Sequence, residues 1–383
     1  MRTNRRMCAV LAVAGLAAAA AAPLAAQGDR QPPAVNQPAI DTAIKKGAEW
    51  LLEQAKGGIP NYQDEWQTLD ELALYALLHA GVDPKNPEVV KLLKLVAERI
   101  PKHTYTNAIR AQAMQKYDAR MLAEHVRGAA QWLVDNQGQR GLWGYGKEVH
   151  IPEPPKITVT PDPKKVYTGP KGGAVIDGTP GARNTTATAR TVLKRNGWGD
   201  ENDNSNSQYA LLGLAACMAG GFYPPQDCLD LAEKWFTDQQ NDDGGWCYKE
   251  RGEGSTGSMT AAGVSSLCII LRAKNNLAPA KDLRIQKGLK WLGDNLTFDG
   301  NPRGGWHYYW IYSVERAGSM AGTDWFGDRP WFKEGSEWLV GKQNDDGSWG
   351  NEGGGKKVAD TAWAILFLRR ATRSIVYSGP SKR

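Results

Sequence analysis

Histidine and cysteine, at 5 each, and phenylalanine, at 6, are scarce in this chain of 383 residues. So few cysteines exclude a fold built on a disulfide framework, and a chain this long needs none. The last four, Cys217, Cys228, Cys247 and Cys268, stand 11, 19 and 21 residues apart and read as buried free thiols. No CxxC, HExxH or HxxxH spacing occurs, so neither a metal site nor any other cofactor is expected. Charge of one sign is also in short supply. The formal net charge is +6, falling to +3 without the first three arginines, and no basic stripe carries interleaved aromatics. Nucleic acid is therefore not an expected partner. Beyond residue 26 no apolar run is long enough for a membrane-spanning helix. With 41% hydrophobic and 23% charged residues the chain is neither disordered nor fibrous.

What is present begins with a leader. Arg2, Arg5 and Arg6 precede an Ala/Leu/Val run from Cys8 to Ala22 and a small-residue exit at Pro23-Leu24-Ala25-Ala26. That order is a secretory signal cleaved near Ala26, which predicts an exported protein, periplasmic or extracellular, whose mature chain starts close to Gln27. The Arg5-Arg6 pair hints at twin-arginine export, but its flanks suit ordinary secretion better. The 15 tryptophans outnumber phenylalanine more than twofold, which points to tryptophan at recurring positions.

The recurrence is explicit. Trp132-Leu133 is followed by Asn136-Gln137 and Gly141-Leu142-Trp143, Trp235-Phe236 by Gln240-Asn241-Asp242-Asp243-Gly244-Gly245-Trp246, and Trp338-Leu339 by Gln343-Asn344-Asp345-Asp346-Gly347-Ser348-Trp349. The two tryptophans are 11 residues apart each time, and a fourth copy, Trp291 to Trp306, stretches this to 15. Trp50-Leu51 opens a degenerate copy, and Val89 to Ile100 with Tyr105 to Met114 forms another without its tryptophan, which makes six units.

Apolar residues recur at helical spacing before each turn, and a second Ala/Leu-rich run follows it, so each unit reads helix, turn, helix. Aspartate bonding its own backbone and glycine taking positive φ make Asn-Asp-Asp-Gly the turn. The second helices, beginning near Ser207, Ser258, Tyr308 and Ala359, are apolar nearly all round and belong inside. The first, with charged faces such as Glu233-Lys234, belong outside. An open array would expose an apolar inner face, so the expected fold is all-α, an (α/α)6 double-ring toroid of about six hairpins. The expected boundaries are signal 1–26, flexible linker 27–39, toroid 40–372 and disordered tail 373–383. An irregular insertion, 147–200, rich in Pro, Gly, Thr and Lys, reads as a lid or as a linker. Within it Ile157-Thr158-Val159-Thr160 and Lys165-Val166-Tyr167-Thr168 could pair as a hairpin.

The segments Gln240 to Trp246 and Gln343 to Trp349 resemble the Gln-Trp repeats of squalene-hopene cyclases, and Asp360-Thr361-Ala362-Trp363-Ala364-Ile365-Leu366 resembles the inner helix of their last repeat. The resemblance spans about residues 40 to 372. It implies the toroid shared by terpenoid cyclases, protein prenyltransferase β subunits and thioester-containing complement domains. Strings such as Asn204-Ser205-Asn206-Ser207-Gln208-Tyr209-Ala210, Ser258-Met259-Thr260-Ala261-Ala262-Gly263 and Tyr308-Tyr309 are also similar to exported bacterial prenyltransferase/squalene-oxidase repeat proteins. The activities are less well matched. The cyclase acid motif D-x-D-D-T-A corresponds to Lys357 through Ala362, which puts Ala359 where the resemblance implies the proton donor. No inner-helix Asp-x-Cys of the prenyltransferase zinc site and no G-C-G-E-Q thioester occurs.

Matching the inner helices sets Thr106, Gln208, Met259, Tyr308 and Asp360 at one level, a ring at one mouth of the toroid where helix N-termini favour an anionic or accepting ligand. Gln208, Ser258, Met259, Tyr308, Tyr309 and Trp363 are the expected ligand contacts. Asp360, His307, Tyr308 and Asp70 are the candidates for chemistry. Ser207, Ser258 and Asp360 also suit plain helix caps. Asp70 and Asp360 could face each other across the seam as a glycosidase-like carboxylate pair. His307 lies in the aromatic cluster Trp306 to Trp310 with Tyr312, and Glu315-Arg316 reads as an internal ion pair. Two functional classes follow: a cavity binding an apolar, isoprenoid-like or other small ligand, with cyclase-like or transferase-like chemistry altered, or a non-catalytic scaffold with a protein partner in the cell envelope. A glycan-acting enzyme on the same barrel is a third and weaker reading.

Overall fold

A computed structural model describes residues 30–60, 69–100, 102–147, 155–170, 189–195 and 197–372. The leader and the 373–383 tail lie outside these residues. Twelve α-helices occur among them: α1 (Gln37–Gly57), α2 (Asp70–Ala80), α3 (Pro87–Glu98), α4 (Thr104–Asp118), α5 (Ala123–Asp135), α6 (Asn204–Ala219), α7 (Gln226–Asp238), α8 (Gly257–Ala273), α9 (Leu283–Asn295), α10 (His307–Ala321), α11 (Trp331–Gly341) and α12 (Gly355–Leu368). The first begins inside the expected linker, because Asn36 caps it by accepting from Ala39 N and Pro38 suits its first turn.

Odd and even helices differ as their sequences demand. In α3 one stripe is buried, Val89, Val90, Leu92, Leu93 and Val96, whereas in α6 every side chain from Asn204 to Met218 is buried. The even helices form a closed inner ring, α2 on α4, α4 on α6, α6 on α8, α8 on α10, α10 on α12 and α12 back on α2, while α1 also packs on α11 and α12. The fold is all-α, a toroid of helical hairpins.

The Gln-Trp turns hold the two rings together. Trp143, Trp246 and Trp349 are fully buried, and their indole Nε1 groups donate to the carbonyls of Leu133, Phe236 and Leu339. Each of those carbonyls belongs to the residue after the unit's first tryptophan, which accounts for the interval of 11. The backbone N–H of each turn tryptophan donates to an inner-helix hydroxyl, Ser207, Thr260 or Thr361. Meanwhile Gln137, Gln240 and Gln343 donate both to their own turn and to the next outer helix, at Cys228, Arg284 and Ala43. The last of these closes the ring from the sixth unit to the first. Turn glycines Gly244 and Gly347 take φ +89, and a Cβ on Gly47 of α1 would meet the Trp349 ring at 2.6 Å, so both positions require glycine.

The stretched fourth copy departs from this pattern. Trp306 is half exposed, while Trp310 is buried and donates to Thr297 O. Phe298 packs against Gly335 of α11, much as Trp246 packs against Gly288 of α9 and Trp349 against Gly47 of α1. With four extra residues in this turn, Phe298 and Trp310 take the packing positions that Trp246 and Trp349 hold in their own units.

The expected hairpin does not form: residues 155–170 are irregular and hold no strand. Proline on both sides of Asp162 and a lack of cross-strand partners leave this segment to bond other elements, His125 Nε2 with Pro155 O, Asp162 N to Lys85 O and Tyr167 Oη to Ala80 O. Ala80 is the C-terminal residue of α2, so this part of the insertion packs at the end of the ring where inner helices finish. A two-residue parallel ladder joins Arg190–Thr191 to Phe222–Tyr223. Cys217, Cys228, Cys247 and Cys268 are free and buried. Burial pushes the Cys228 and Cys268 thiols up to about 12. Among the described residues no helix is long and apolar enough to cross a membrane, and no cluster of three or more His, Cys, Asp or Glu could hold a metal.

Candidate functional site

Two cavities open where the inner helices begin. The central one, of about 440 Å³, takes lining from or beside every inner helix: Leu69 and Leu72, Tyr105, Thr106 and Ile109, Ser205 and Tyr209, Ser258 and Met259, Tyr309, and Ala359 with Trp363. Its rim adds Tyr145, Tyr248 and Trp306, so seven aromatic side chains surround the space, and Arg303 is the charged residue among the lining. The second, a groove of about 570 Å³, is lined by His307, Tyr308, Trp338, Asp360 and neighbouring loop residues. Gly305 and Trp306 belong to both linings and form the partition between them.

A directed hydrogen-bond chain runs beneath the central cavity. Tyr105 Oη donates to Ser205 Oγ at 2.6 Å, Ser205 Oγ and Tyr309 Oη share a 2.6 Å bond, and Tyr309 Oη donates to Gln208 Oε1 at 3.1 Å. Arg316 Nη2 donates to that same oxygen and to Ser313 Oγ. Since Tyr309 gives its proton to Gln208, Ser205 donates to Tyr309 and Tyr105 to Ser205. The Arg316 guanidinium lies 5.0, 5.1 and 4.5 Å from the ring centroids of Tyr209, Tyr309 and Tyr312, which makes aromatic faces its principal counterpart. Burial raises the hydroxyls of Tyr105, Tyr309 and Tyr312 well above the ordinary tyrosine range, so all three stay neutral.

The expected ion pair between Glu315 and Arg316 is absent among the described residues. Glu315 accepts from Ser319 Oγ and from the N–H and hydroxyl of Thr372. Adjacent helix positions point about 100° apart, so two successive side chains rarely meet. Burial lifts the Glu315 carboxyl to about 7.

The expected ring, ligand contacts and candidates for chemistry divide three ways. Thr106, Ser258, Met259, Tyr309 and Trp363 line the central cavity. His307, Tyr308 and Asp360 line the groove. Gln208 lines neither; it is fully buried below the floor, its amide donating to Ser265 Oγ. The hydroxyls that bind the turn tryptophans explain this. Ser207, Thr260 and Thr361 are structurally equivalent, so Gln208 matches Ala261 and Ala362, two positions deeper than Met259 and Asp360.

Nor do Ser207, Ser258 and Asp360 cap helices. Asp203 and Thr256 cap α6 and α8, and α12 starts at Gly355 after Gly354. Asp70 lies outside both cavities, held by Arg99 at 2.5 Å while Glu71 shares the same guanidinium, so the seam does not place Asp70 and Asp360 in one site. His307 Nε2 bonds Phe298 O at 2.7 Å and its ring meets the edge of Trp338 at 4.9 Å, a built-in position for this imidazole.

Tyr105, Ser205 and Tyr209 were not singled out by sequence. Their signal is the recurrence of tyrosine near the starts of α4, α6 and α10, where a purely structural inner helix would carry alanine. Among the described residues that line the central cavity there is no carboxylate, imidazole or thiol, and Ala359 stands at its wall. Such a surface can bind and orient an apolar molecule.

No protein-family model matches the chain. Over 171 residues, 37% of the chain, it is 25% identical to a squalene–hopene cyclase of Bradyrhizobium diazoefficiens, and the match spans 26% of that protein. Among solved structures it is similar to the type II terpene cyclase MstE from Scytonema without ligand, at 12% identity and TM-score 0.48, covering 89% of this chain and 99% of that one. It is also similar to a variant of that enzyme in complex with geranylgeranyl dihydroxybenzoate, at 11% identity and TM-score 0.49, covering 88% and 98%.

Proposed function

We propose that the chain holds an isoprenoid-like apolar molecule in the central cavity and does so without the proton transfer that opens squalene-type cyclisation. One observation carries this reading: a cavity of about 440 Å³ walled by all six inner helices and ringed by aromatic side chains, with Ala359 and, among the described lining residues, no carboxylate at its surface. Aromatic faces suit the flat alkene units of an isoprenoid, and apolar burial of about 25 cal/mol per Å² supplies the affinity. The volume lies within the roughly 300–1,000 Å³ usual for small-molecule sites. The stretch similar to a squalene–hopene cyclase supports the same ligand class. The charge and composition of residues 1–26 support action outside the cytoplasm, in the cell envelope.

The test is a titration of delipidated protein with geranylgeraniol, followed by tryptophan emission. Saturation at one equivalent is expected, and Met259→Trp, which fills the cavity from α8, should weaken binding at least tenfold. Equal binding by wild type and this variant would move the ligand elsewhere and remove the proposal.

A further inference from the structure

The groove beside the central cavity contains a carboxylate that the isoprenoid reading leaves unexplained, and it shares Trp306 with the rim of that cavity. Asp360 is only 6% exposed, lies along the groove wall, and accepts no hydrogen bond or ion pair from any described residue. Its carboxylate oxygens open onto the groove and are not sealed in the core, so the acceptor that the protein leaves unmet is open to a donor from solution. Trp306, in the same lining, is half exposed and held at φ +60. Left-handed backbone is costly for a bulky residue, and such strain clusters at binding sites. The other charges of the groove have counterparts: Glu352 pairs with Lys356, Asp299 accepts from Trp338 Nε1 at 2.9 Å, and Lys342 lies 6.0 Å from the Trp338 ring centroid.

We propose that this groove binds a small neutral saccharide, one sugar face stacked on Trp306 and hydroxyl groups donating to Asp360. The C–H bonds on a pyranose face carry partial positive charge and suit the negative face of an indole, while its hydroxyls supply the donors that Asp360 lacks. The lining also argues against a charged ligand. It mixes three carboxylates, Asp299, Glu352 and Asp360, with two ammonium groups, Lys342 and Lys356. An anion would face the carboxylates. An organic cation would compete with Lys342 for Trp338.

Burial lifts the Asp360 carboxyl to about 7, with Lys356 lowering and Glu352 raising it. Protonation removes the charge and turns one of the two accepting oxygens into a donor. The charge-assisted bonds from saccharide hydroxyls, and with them binding, should therefore weaken as pH falls through 7, with His307, Tyr308, Asp299 and Lys342 also facing the groove.

Calorimetric titration of the full chain with cellobiose, N,N′-diacetylchitobiose, choline and inorganic phosphate tests the assignment. At least one disaccharide is expected to bind, with an affinity reduced at least tenfold by Trp306→Ala and by Asp360→Asn and retained by Trp306→Tyr, which keeps a stacking face. Thermal melting of each variant shows that it is folded. Binding of choline or phosphate without either disaccharide, no binding by any of the four, or disaccharide binding unchanged in both loss variants would overturn the proposal.

Discussion

Asp360 and Glu315 show how a single carboxylate can set the pH response of the molecule. Burial raises both to about 7, against about 4 for an unfolded carboxyl. Between those values the folded chain keeps protons on these two groups that the unfolded chain has released, so their contribution to stability falls as pH rises from 4 through 7 and levels off above. His79, His103 and His125, whose pKa values are lowered by burial, contribute in the opposite direction. Replacing Asp360 with Asn removes its share. The variant should match wild type near pH 4 and exceed it by roughly 1–3 kcal/mol at pH 8, an upper-range estimate from the size of such shifts. Denaturant melts at the two values measure this, and parallel stability profiles would show that Asp360 is not desolvated as described. Sequence alone carries little of this. It marks Asp360 as a residue at an inner-helix start, but the absence of a partner depends on which way Trp306, Tyr308 and the Gly350–Glu352 turn face.

The Gln-Trp turn is the element that the sequence reveals most fully, because its bonds are local: the indole reaches back 10 residues, and the glutamine amide reaches its own turn 4 residues on. Trp246→Ala should cost ~3–5 kcal/mol, the range for truncating a buried aromatic; a chemical-denaturation midpoint equal to wild type would deny that packing. Gln343→Ala leaves the carbonyls of Gly347 and Ala43 without this donor, at about 1–3 kcal/mol. The non-local half of the motif, each glutamine bonding the next outer helix, requires knowing that the units form a ring. The fourth copy shows the limit of pattern reading. Its turn signature ends in Trp306, yet Phe298 and Trp310 do the packing, and the longer interval of 15 is the one mark of that difference in the sequence.

For the molecule as a whole, closure follows from sequence because inner runs such as Ala359 to Leu368 are apolar nearly all round and an open array would expose one of their faces. The closed ring then brings Tyr105, Ser205, Met259, Tyr309 and Trp363, drawn from five helices, to one cavity. Which of the aligned positions point to the axis was not legible, since a shift of two residues, as at Gln208, carries a side chain from the wall to the layer below. The central claim is that this cavity holds an isoprenoid-like molecule. Organic extraction of the protein purified from its native host, followed by mass spectrometry against a Met259→Trp control, tests it most directly. The account predicts a polyisoprenoid in near-stoichiometric amount from wild type and at least tenfold less from the variant. Extracts with no isoprenoid, or with equal amounts from both proteins, would contradict it.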